Sequence, residues 1–297
     1  NLQMVGMLSG GIVWGILGDK KGRLSVLFGT ILLYSLANIL NGMIQNIQQY
    51  YVLRFVAGFG LAGDLGVGVT LVSEVMSKEK RGLGTTIVSG IGIAGAVAGF
   101  LVADKFNWRT AYYVGGGMGL FLLLLRVSVA ESGMFARIRE DKVVRGGFLR
   151  FLLVRKNFVA YVRCIFIGIP IWFTIGIIVT LATELAAALH ISGVVKGSTA
   201  VMYPYIGASA GAFLCGMLSQ TLRSRKKALL IALLALAASI GVLFAATGAS
   251  SSFFYWMLLI IGIPNGYWSV FMSTASEQFG TNIRATVTKT IPNFVRG

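Results

Sequence analysis

The sequence predicts an all-α fold, a polytopic bundle of transmembrane helices, and three observations support this: composition, run length and an internal repeat. Of the 297 residues, 56% are hydrophobic and 12% are charged, and the mean hydropathy is +0.80. A water-soluble domain carries about twice that charged fraction. Apolar runs of about 20 residues recur along the chain, and each can cross the hydrocarbon core as a helix. The lipid bilayer is therefore the main solvent of this chain.

Nine apolar runs predict nine membrane spans, which we letter A to I in chain order. Charged or turn-forming residues bound each run, as expected where a helix leaves the membrane. Spans A, D and G are rich in glycine, which lets helix backbones approach closely. The predicted spans cover residues 1–18, 25–45, 49–73, 83–103, 109–129, 158–184, 198–219, 228–247 and 252–275.

The distribution of Lys and Arg predicts the orientation of the spans, because these residues concentrate in cytoplasmic loops. Every second loop is basic, and the last of these is the segment after span I, which contains Arg284, Lys289 and Arg296. Residue 1 is therefore expected outside. Topology also explains the net charge of +16. A nucleic-acid partner is not predicted, because it requires basic residues gathered on one water-facing surface.

An internal repeat at an offset of about two hundred residues predicts two parallel halves. The Gly15-to-Arg23 loop has a weaker echo at Gly216. The stronger echo, with the same internal spacing, joins Ser73, Glu74 and Arg81 to Ser276, Glu277 and Arg284.

The repeat also predicts the domain organisation. Each half should carry the same number of spans around its two basic loops, so nine spans are visible of an inferred twelve, and the first and the last two are missing. The expected domains are a first half bundle at 1–129, a cytoplasmic linker with an interfacial helix at 130–157, and a second half bundle at 158–297.

These motifs resemble those of the major facilitator superfamily. Residues 15–23, Gly-Ile-Leu-Gly-Asp-Lys-Lys-Gly-Arg, are similar to its signature loop, and Arg54 with the glycines after it resembles its fourth-span pattern. Residues 130–133, Ala-Glu-Ser-Gly, resemble the Pro-Glu-Ser-Pro of sugar and organic-ion porters, without either proline. Residues 90–99 lack the proline of drug antiporters. The resemblance implies a transporter and favours an uptake type.

Two charged residues inside span C are candidates for substrate binding or coupling. A carboxylate at the depth of Asp64 costs at least ~2.5 kcal/mol unless it is neutral, paired or hydrated, so it is a candidate proton carrier; a purely structural hydrogen bond is the alternative. Arg54 lies about 15 Å away along the same helix. Its partner must come from another span, and the resemblance suggests an acidic residue in the missing first one. The alternative is an arginine that snorkels to the outer interface.

A second group of candidates surrounds the proline in span I. Pro264 interrupts the helix where the repeat places Tyr267 opposite Asp64, and transporter sites often use such broken helices. Aromatic residues in membrane helices also serve packing alone, and that alternative stays open for each of these. The candidate solute contacts are Asn265, Tyr267 and Trp268, with Trp172 of span F and Tyr203 of span G.

Charged residues at the inner helix ends predict a cytoplasmic gating network, which locks the halves together and releases them as they rock. Static anchoring of the loops is the alternative. The network is expected to comprise Gly15, Asp19, Arg23, Glu74, Arg81, Glu277 and Arg284.

The function predicted from these features is secondary active transport of a small polar organic solute, such as an organic acid, sugar or zwitterion, by alternating access with proton symport. A facilitative uniporter, a drug-type antiporter and a non-transporting receptor or scaffold are the alternatives. An enzyme is disfavoured because the chain offers one histidine and two isolated cysteines. We expect no cofactor or metal, a monomer, and a multi-pass location in the plasma membrane, or the inner membrane of a bacterium.

Overall fold

The computed structural model describes residues 2–21, 23–63, 76, 78–125, 153–279 and 284–296, and these residues are almost entirely helical. Short turns and loops join the helices, and the one β-type pairing among the described residues is an isolated bridge between Ser192 and Ser250. The all-α class predicted from composition is therefore confirmed.

Twelve α-helices and one π-helical segment make up the described chain. Several begin at a side-chain cap: Asn46 accepts a hydrogen bond from the Gln49 amide, and Ser250 accepts one from the Phe253 amide, which satisfies amides that a helix start leaves unpaired. The elements are α1 (Leu2–Lys21), α2 (Arg23–Gly42), α3 (Ile47–Leu61), α4 (Lys78–Lys105), α5 (Trp108–Leu125), α6 (Arg155–Phe173), the π segment (Thr174–Val179), α7 (Ala182–Ala188), α8 (Gly197–Thr221), α9 (Arg225–Ala245), α10 (Ser251–Asn265), α11 (Trp268–Glu277) and α12 (Arg284–Arg296).

Six stretches of the described helices are long and apolar enough to cross a membrane, and they correspond to spans B, D, F, G, H and I. Span A corresponds to the shorter apolar helix Leu2–Gly18. Span C is helical over Ile47–Leu61 and span E over Trp108–Leu125. Residues 64–73 of span C, residues 126–129 of span E and residues 130–152 of the predicted linker lie outside the described residues.

The prediction that residues 284–296 form a loop after span I is wrong, because they form helix α12. The segment is poor in apolar residues and contains Pro292, so its hydropathy does not indicate a span. Its apolar residues nevertheless recur every fourth position at Val287, Ile291 and Val295, and all three are buried. That spacing places them on one helical face.

The chain divides into two compact units. Unit 1 comprises Asn1–Lys78, Lys105–Phe166 and Ala275–Gly297, and unit 2 comprises Glu79–Asp104 and Ile167–Thr274. In sequence terms, α12 of the predicted second half belongs to unit 1, and α4 of the predicted first half belongs to unit 2.

Helix α1 is the centre of unit 1, where it packs against α2, α3 and α12. A Cβ added at Gly6 would collide with the carbonyl oxygen of Phe55, and one at Gly10 with that of Phe59. Only glycine allows α1 and α3 to approach this closely. Trp14 fastens the same pair, since its indole Nε1 donates to the Phe59 carbonyl at 2.9 Å.

Helix α8 has the same position in unit 2, between α10, α9 and α4. Added Cβ atoms at Gly207 and Gly211 would collide with the carbonyl oxygens of Leu259 and Ile263 in α10. The Ser209 hydroxyl donates to the Gly90 carbonyl of α4 at 2.9 Å.

The close contacts of α1 and α8 follow the sequence repeat. In each helix, two glycines four residues apart lie against backbone carbonyls of the second helix after it, which is α3 for α1 and α10 for α8. A third glycine in each lies against a threonine, and that threonine belongs to a helix of the other predicted half. The matched residues are Gly6, Gly10 and Gly15, the last against Thr286, and Gly207, Gly211 and Gly216, the last against Thr86. The repeat is therefore visible in helix packing as well as in sequence.

Candidate functional site

A break between α10 and α11 forms the centre of the candidate site in unit 2. Pro264 has no amide hydrogen and cannot continue the backbone ladder, so α10 ends at Asn265 and α11 begins at Trp268. The amide of Tyr267 donates to the Pro264 carbonyl at 3.0 Å, which closes a tight turn. Gly266 permits this turn to lie against α8, because its added Cβ would collide with the backbone of Gly211 and Ala212.

Asn265 is the polar side chain at this break. Its side chain is 4% exposed, and its Oδ1 atom has no hydrogen-bond partner among the described residues. Buried acceptors are rarely left unpaired, because the lost hydration costs about 1–3 kcal/mol. An uncompensated amide oxygen at a helix break is therefore a candidate acceptor for a solute hydrogen-bond donor.

Two tryptophans meet beside the break. Trp172 of α6 and Trp268 of α11 lie edge to face, with ring centroids 6.4 Å apart and an angle of 81° between the rings. Phe271 extends the cluster at 5.3 Å from Trp268. The helix that carries Trp172 is itself irregular, because it contains Pro170 and turns into the π segment, and π segments often mark functional sites.

Two predicted site residues have contacts of other kinds. The Tyr267 side chain is fully buried, and its hydroxyl donates to the Ile167 carbonyl at 2.6 Å, so it links the turn before α11 to α6. Tyr203 stacks on Tyr255 at 5.4 Å and meets Trp256 edge to face at 6.0 Å. The structure thus brings Trp172 and Trp268 together and gives Tyr203 a separate aromatic cluster.

Arg54 lies in unit 1, on α3. Its Nη1 donates to the Tyr112 hydroxyl at 3.4 Å, and the guanidinium carbon lies 5.7 Å from the centroid of the Tyr50 ring. Asp64, the other predicted charge of span C, lies outside the described residues, so its role stays a prediction.

Part of the predicted gating network can be located. Gly15 contacts Thr286, with no room for a Cβ between α1 and α12. Glu277 is exposed at the end of α11, whereas Glu74 lies outside the described residues. The side chains of the other four members are outside the described part of the structure. Asp19, Arg23 and Arg284 lie at helix ends, and Arg81 lies in α4.

Sequence reasoning missed two buried polar residues of α12. Lys289 is 1% exposed and donates from Nζ to the Trp14 carbonyl at 2.8 Å. Asn293 is 3% exposed and donates from Nδ2 to the Ala62 carbonyl, just past the end of α3, at 3.2 Å. The fourfold spacing of Val287, Ile291 and Val295 was the signal that could have placed both in a packed helix.

Many membrane transporters have membrane-crossing helices that are broken near a buried polar group. Comparison with known proteins supplies the family: residues 1–291 match the Major Facilitator Superfamily. The chain belongs to that superfamily. It is therefore a multi-pass membrane protein and a secondary transporter rather than an enzyme.

Several relatives have named solutes. The 3-(3-hydroxy-phenyl)propionate transporter of Escherichia coli (strain K12) is 28% identical over 95% of this chain and 70% of its own length. The 4-hydroxybenzoate transporter PcaK of Pseudomonas putida is 31% identical over 47% of this chain and 33% of its own length. The niacin transporter NiaP of Acinetobacter baylyi is 32% identical over 44% of this chain and 31% of its own length.

A solved structure shows the same fold at low sequence identity. The proton:xylose symporter XylE aligns with a TM-score of 0.75 and 15% identity, over 99% of this chain and 75% of the XylE chain.

Proposed function

We propose that this transporter carries small aromatic carboxylates across the plasma membrane, as a monomer, by proton symport and alternating access. The observation that carries the proposal is the edge-to-face pair of Trp172 and Trp268 at the helix break that also carries Asn265, whose Oδ1 is unpaired among the described residues. Indole rings bind aromatic solutes by stacked or edge-to-face contacts worth about 0.5–1.5 kcal/mol each beyond area burial. The solutes named for the three relatives above are all aromatic carboxylic acids.

Asn265 would supply orientation. Its amide oxygen accepts a hydrogen bond, so it fits a ring hydroxyl or another solute donor, and pairing would end the cost of the unpaired acceptor. Small-molecule sites combine apolar surface with a few fixed polar groups, and the two tryptophans with Asn265 offer that combination.

The glycine contacts of α1 and α8 support alternating access. If the halves are 1–129 and 158–297, joined by the linker 130–157, then α1 with α12 and α4 with α8 are pairs that cross from one half to the other. Gly15 and Gly216 let these helices approach closely, at Thr286 and Thr86. The hydrogen bonds from Lys289 to the Trp14 carbonyl and from Ser209 to the Gly90 carbonyl would break as the helices separate. We propose that these pairs, together with the charged residues of the predicted gating network, separate and reform in each transport cycle.

Proton coupling is proposed for Asp64 because a carboxyl group inside a membrane helix is costly when charged and can exchange a proton. The cationic Arg54 is the proposed partner of the solute carboxylate. An acidic side chain of the protein could compete with the solute for Arg54.

The proposal is tested with the protein reconstituted in proteoliposomes and an inward proton gradient. We expect accumulation of benzoate, 4-hydroxybenzoate or nicotinate, and none of xylose, whereas uptake of xylose alone would contradict the solute class. With the best solute, Asp64→Asn should retain exchange and lose gradient-driven accumulation, since an amide carries no proton. Full accumulation by this variant across pH would remove Asp64 from the coupling step, and uptake in the wild type that ignores the gradient would favour the uniporter.

A further inference from the structure

Unit 1 contains an open cavity of about 450 Å³ at the ends of α2, α3 and α5. We call it the outer cup, because the predicted topology places these helix ends on the side opposite the basic loops. Its wall includes Asn46, Tyr50, Trp108, Arg109 and Tyr112. The volume is within the range of small-ligand sites. We propose that the outer cup is a capture site for aromatic carboxylates, which binds the solute before it moves inward; this rests on the solute class proposed above.

The first support is the way Arg109 is held. Its guanidinium lies 4.2 Å from the centroid of the Trp108 ring, and its Nη2 donates to the Ile44 carbonyl at 3.2 Å. These two contacts fix the planar group, while a guanidinium has five donors in all. In the described part of the chain Arg109 has no carboxylate partner, so donors remain for a ligand. A fixed arginine fork matches a carboxylate and loses little freedom on binding.

The second support is the electrostatic field of the helix ends. Helices α3 and α5 both begin at the cup, at Ile47 and Trp108. Helix N-termini carry partial positive charge and favour anions. Residues 43–53 and 105–112 contain no Asp or Glu, and the nearest acidic residue along the chain is Asp104, near the end of α4. Arg109 is the one charged residue in the described wall, so the charge of the wall and the field of the helix ends both favour an anion.

The third support is aromatic surface. Tyr50, Trp108 and Tyr112 line the cavity, and Trp108 meets Tyr112 edge to face at 6.2 Å. Trp108 is 48% exposed, so part of its ring is open to solvent. An aromatic ring can lie against these side chains while its carboxylate meets Arg109, a combination that an inorganic anion cannot use.

The cup also lies next to Arg54 on α3. Tyr50 precedes Arg54 by one helical turn, and the Tyr112 hydroxyl accepts from Arg54 Nη1. Tyr50 and Tyr112 thus belong both to the wall of the cup and to the surroundings of the deeper cation. A solute released from Arg109 in α5 would next meet the guanidinium of Arg54, one turn beyond Tyr50 along α3.

The inference is tested by benzoate uptake into cells or right-side-out vesicles with the variant Arg109→Gln. We expect the KM to rise about fivefold or more while the maximal rate stays within about twofold, because capture from dilute solution is weakened and the later steps are kept. The control is Lys105→Gln, which removes a cation nearby that does not line the cup and should leave the KM within about twofold. An unchanged KM in Arg109→Gln, or an equal rise in both variants, overturns the capture site.

A binding measurement distinguishes a failure of the outer cup from a failure of the proposed function. Saturation-transfer NMR with benzoate on the purified protein should give a signal in the wild type that Arg109→Gln reduces by about half or more, with acetate giving a much weaker one. If benzoate binds in this way and is not transported, the proposed solute is wrong and the cup stands. If benzoate is transported and both proteins give the same signal, or acetate equals benzoate, the cup is wrong and the proposed function stands.

Discussion

At the scale of single residues, the amide oxygen of Asn265 is the group on which the proposed solute site most depends. Asn265→Leu removes an acceptor that is buried without a partner among the described residues. We expect solute affinity to fall about tenfold, or about 1.4 kcal/mol, because the solute loses a hydrogen bond. Thermal stability should stay equal or rise, since an unpaired buried polar group is removed. Calorimetric titration with the best solute of the uptake panel and a melting curve measure both.

The control for this prediction is Asn41→Leu. Asn41 is fully buried in α2 and its Oδ1 is also unpaired in the described structure, but it lies outside the proposed solute site. Its replacement should leave the affinity unchanged. An equal loss of affinity in both variants would show a general effect on folding, and no loss in Asn265→Leu would remove this residue from the site.

Residue types and spacing predicted part of this chemistry. Pro264 indicated a helix break, and the aromatic and amide residues after it were therefore expected at the site. The partner of each side chain was not predictable, since Tyr267 and Trp268 are adjacent in sequence and yet one bonds to a backbone carbonyl while the other meets Trp172. Such differences depend on how α6 and α11 are rotated about their own axes, and the spacing of residue types in one sequence does not predict that rotation.

At the scale of helices, the close approach of α8 and α10 depends on glycine. Gly211→Ala places a methyl group where the Ile263 carbonyl oxygen lies, so the helices must move apart or unfold. We expect a loss of stability of about 1–3 kcal/mol, as for other overpacked contacts, measured as a lower melting temperature in detergent.

The matched control is Gly241→Ala in α9, where an added Cβ has no neighbour within 4 Å. The gain in helix propensity, about 1 kcal/mol in a soluble host, should leave this variant equal to or more stable than the wild type. Equal destabilisation by the two substitutions would contradict the packing of α8 on α10.

Helix α12 offers a test of the crossing contacts through Asn293. Asn293→Leu keeps the branching and the number of side-chain heavy atoms and removes the donor to the Ala62 carbonyl. An unpaired buried acceptor costs about 1–3 kcal/mol, so α12 should detach more often from α3. The buried thiol of Cys164, in the same unit, reports this opening. In a Cys215→Ala background, we expect its labelling by a membrane-permeant maleimide to rise about tenfold.

Asn157→Leu is the control for that experiment, because the same chemical change near the start of α6 removes no hydrogen bond to α12 or α3. Its labelling rate should match that of the background. If Asn293→Leu also matches the background, the Asn293 contact does not hold α12 in place.

The bounds of the helices show why sequence predicted most elements and missed one. Spans B, G and H agree with α2, α8 and α9 to within three residues at each end, because long apolar runs determine them. Helix α12 was missed because its buried face mixes threonine, lysine and asparagine with the valines and isoleucine. Polar residues satisfied by backbone carbonyls of α1 and α3 cannot be distinguished by composition from residues in a loop.

At the scale of the whole molecule, the internal repeat was the most informative feature of the sequence. It predicted equivalent surroundings for α1 and α8, and their glycine contacts have the same pattern. It did not predict that α4 would belong to unit 2, or that α12, the first part of α6 and the end of α11 would belong to unit 1. That exchange arises because the third glycine of each central helix packs against a threonine across the repeat, which a comparison of the two copies does not reveal.

Alternating access is the central claim, and countertransport tests it most directly. Proteoliposomes loaded with unlabelled benzoate, or with whichever aromatic carboxylate is transported, are diluted into a trace of the labelled solute without a proton gradient. A carrier whose one site faces each side in turn should accumulate label transiently above equilibrium and then release it. Label that only approaches equilibrium, at a rate independent of internal solute, would contradict alternating access and indicate a channel or a leak.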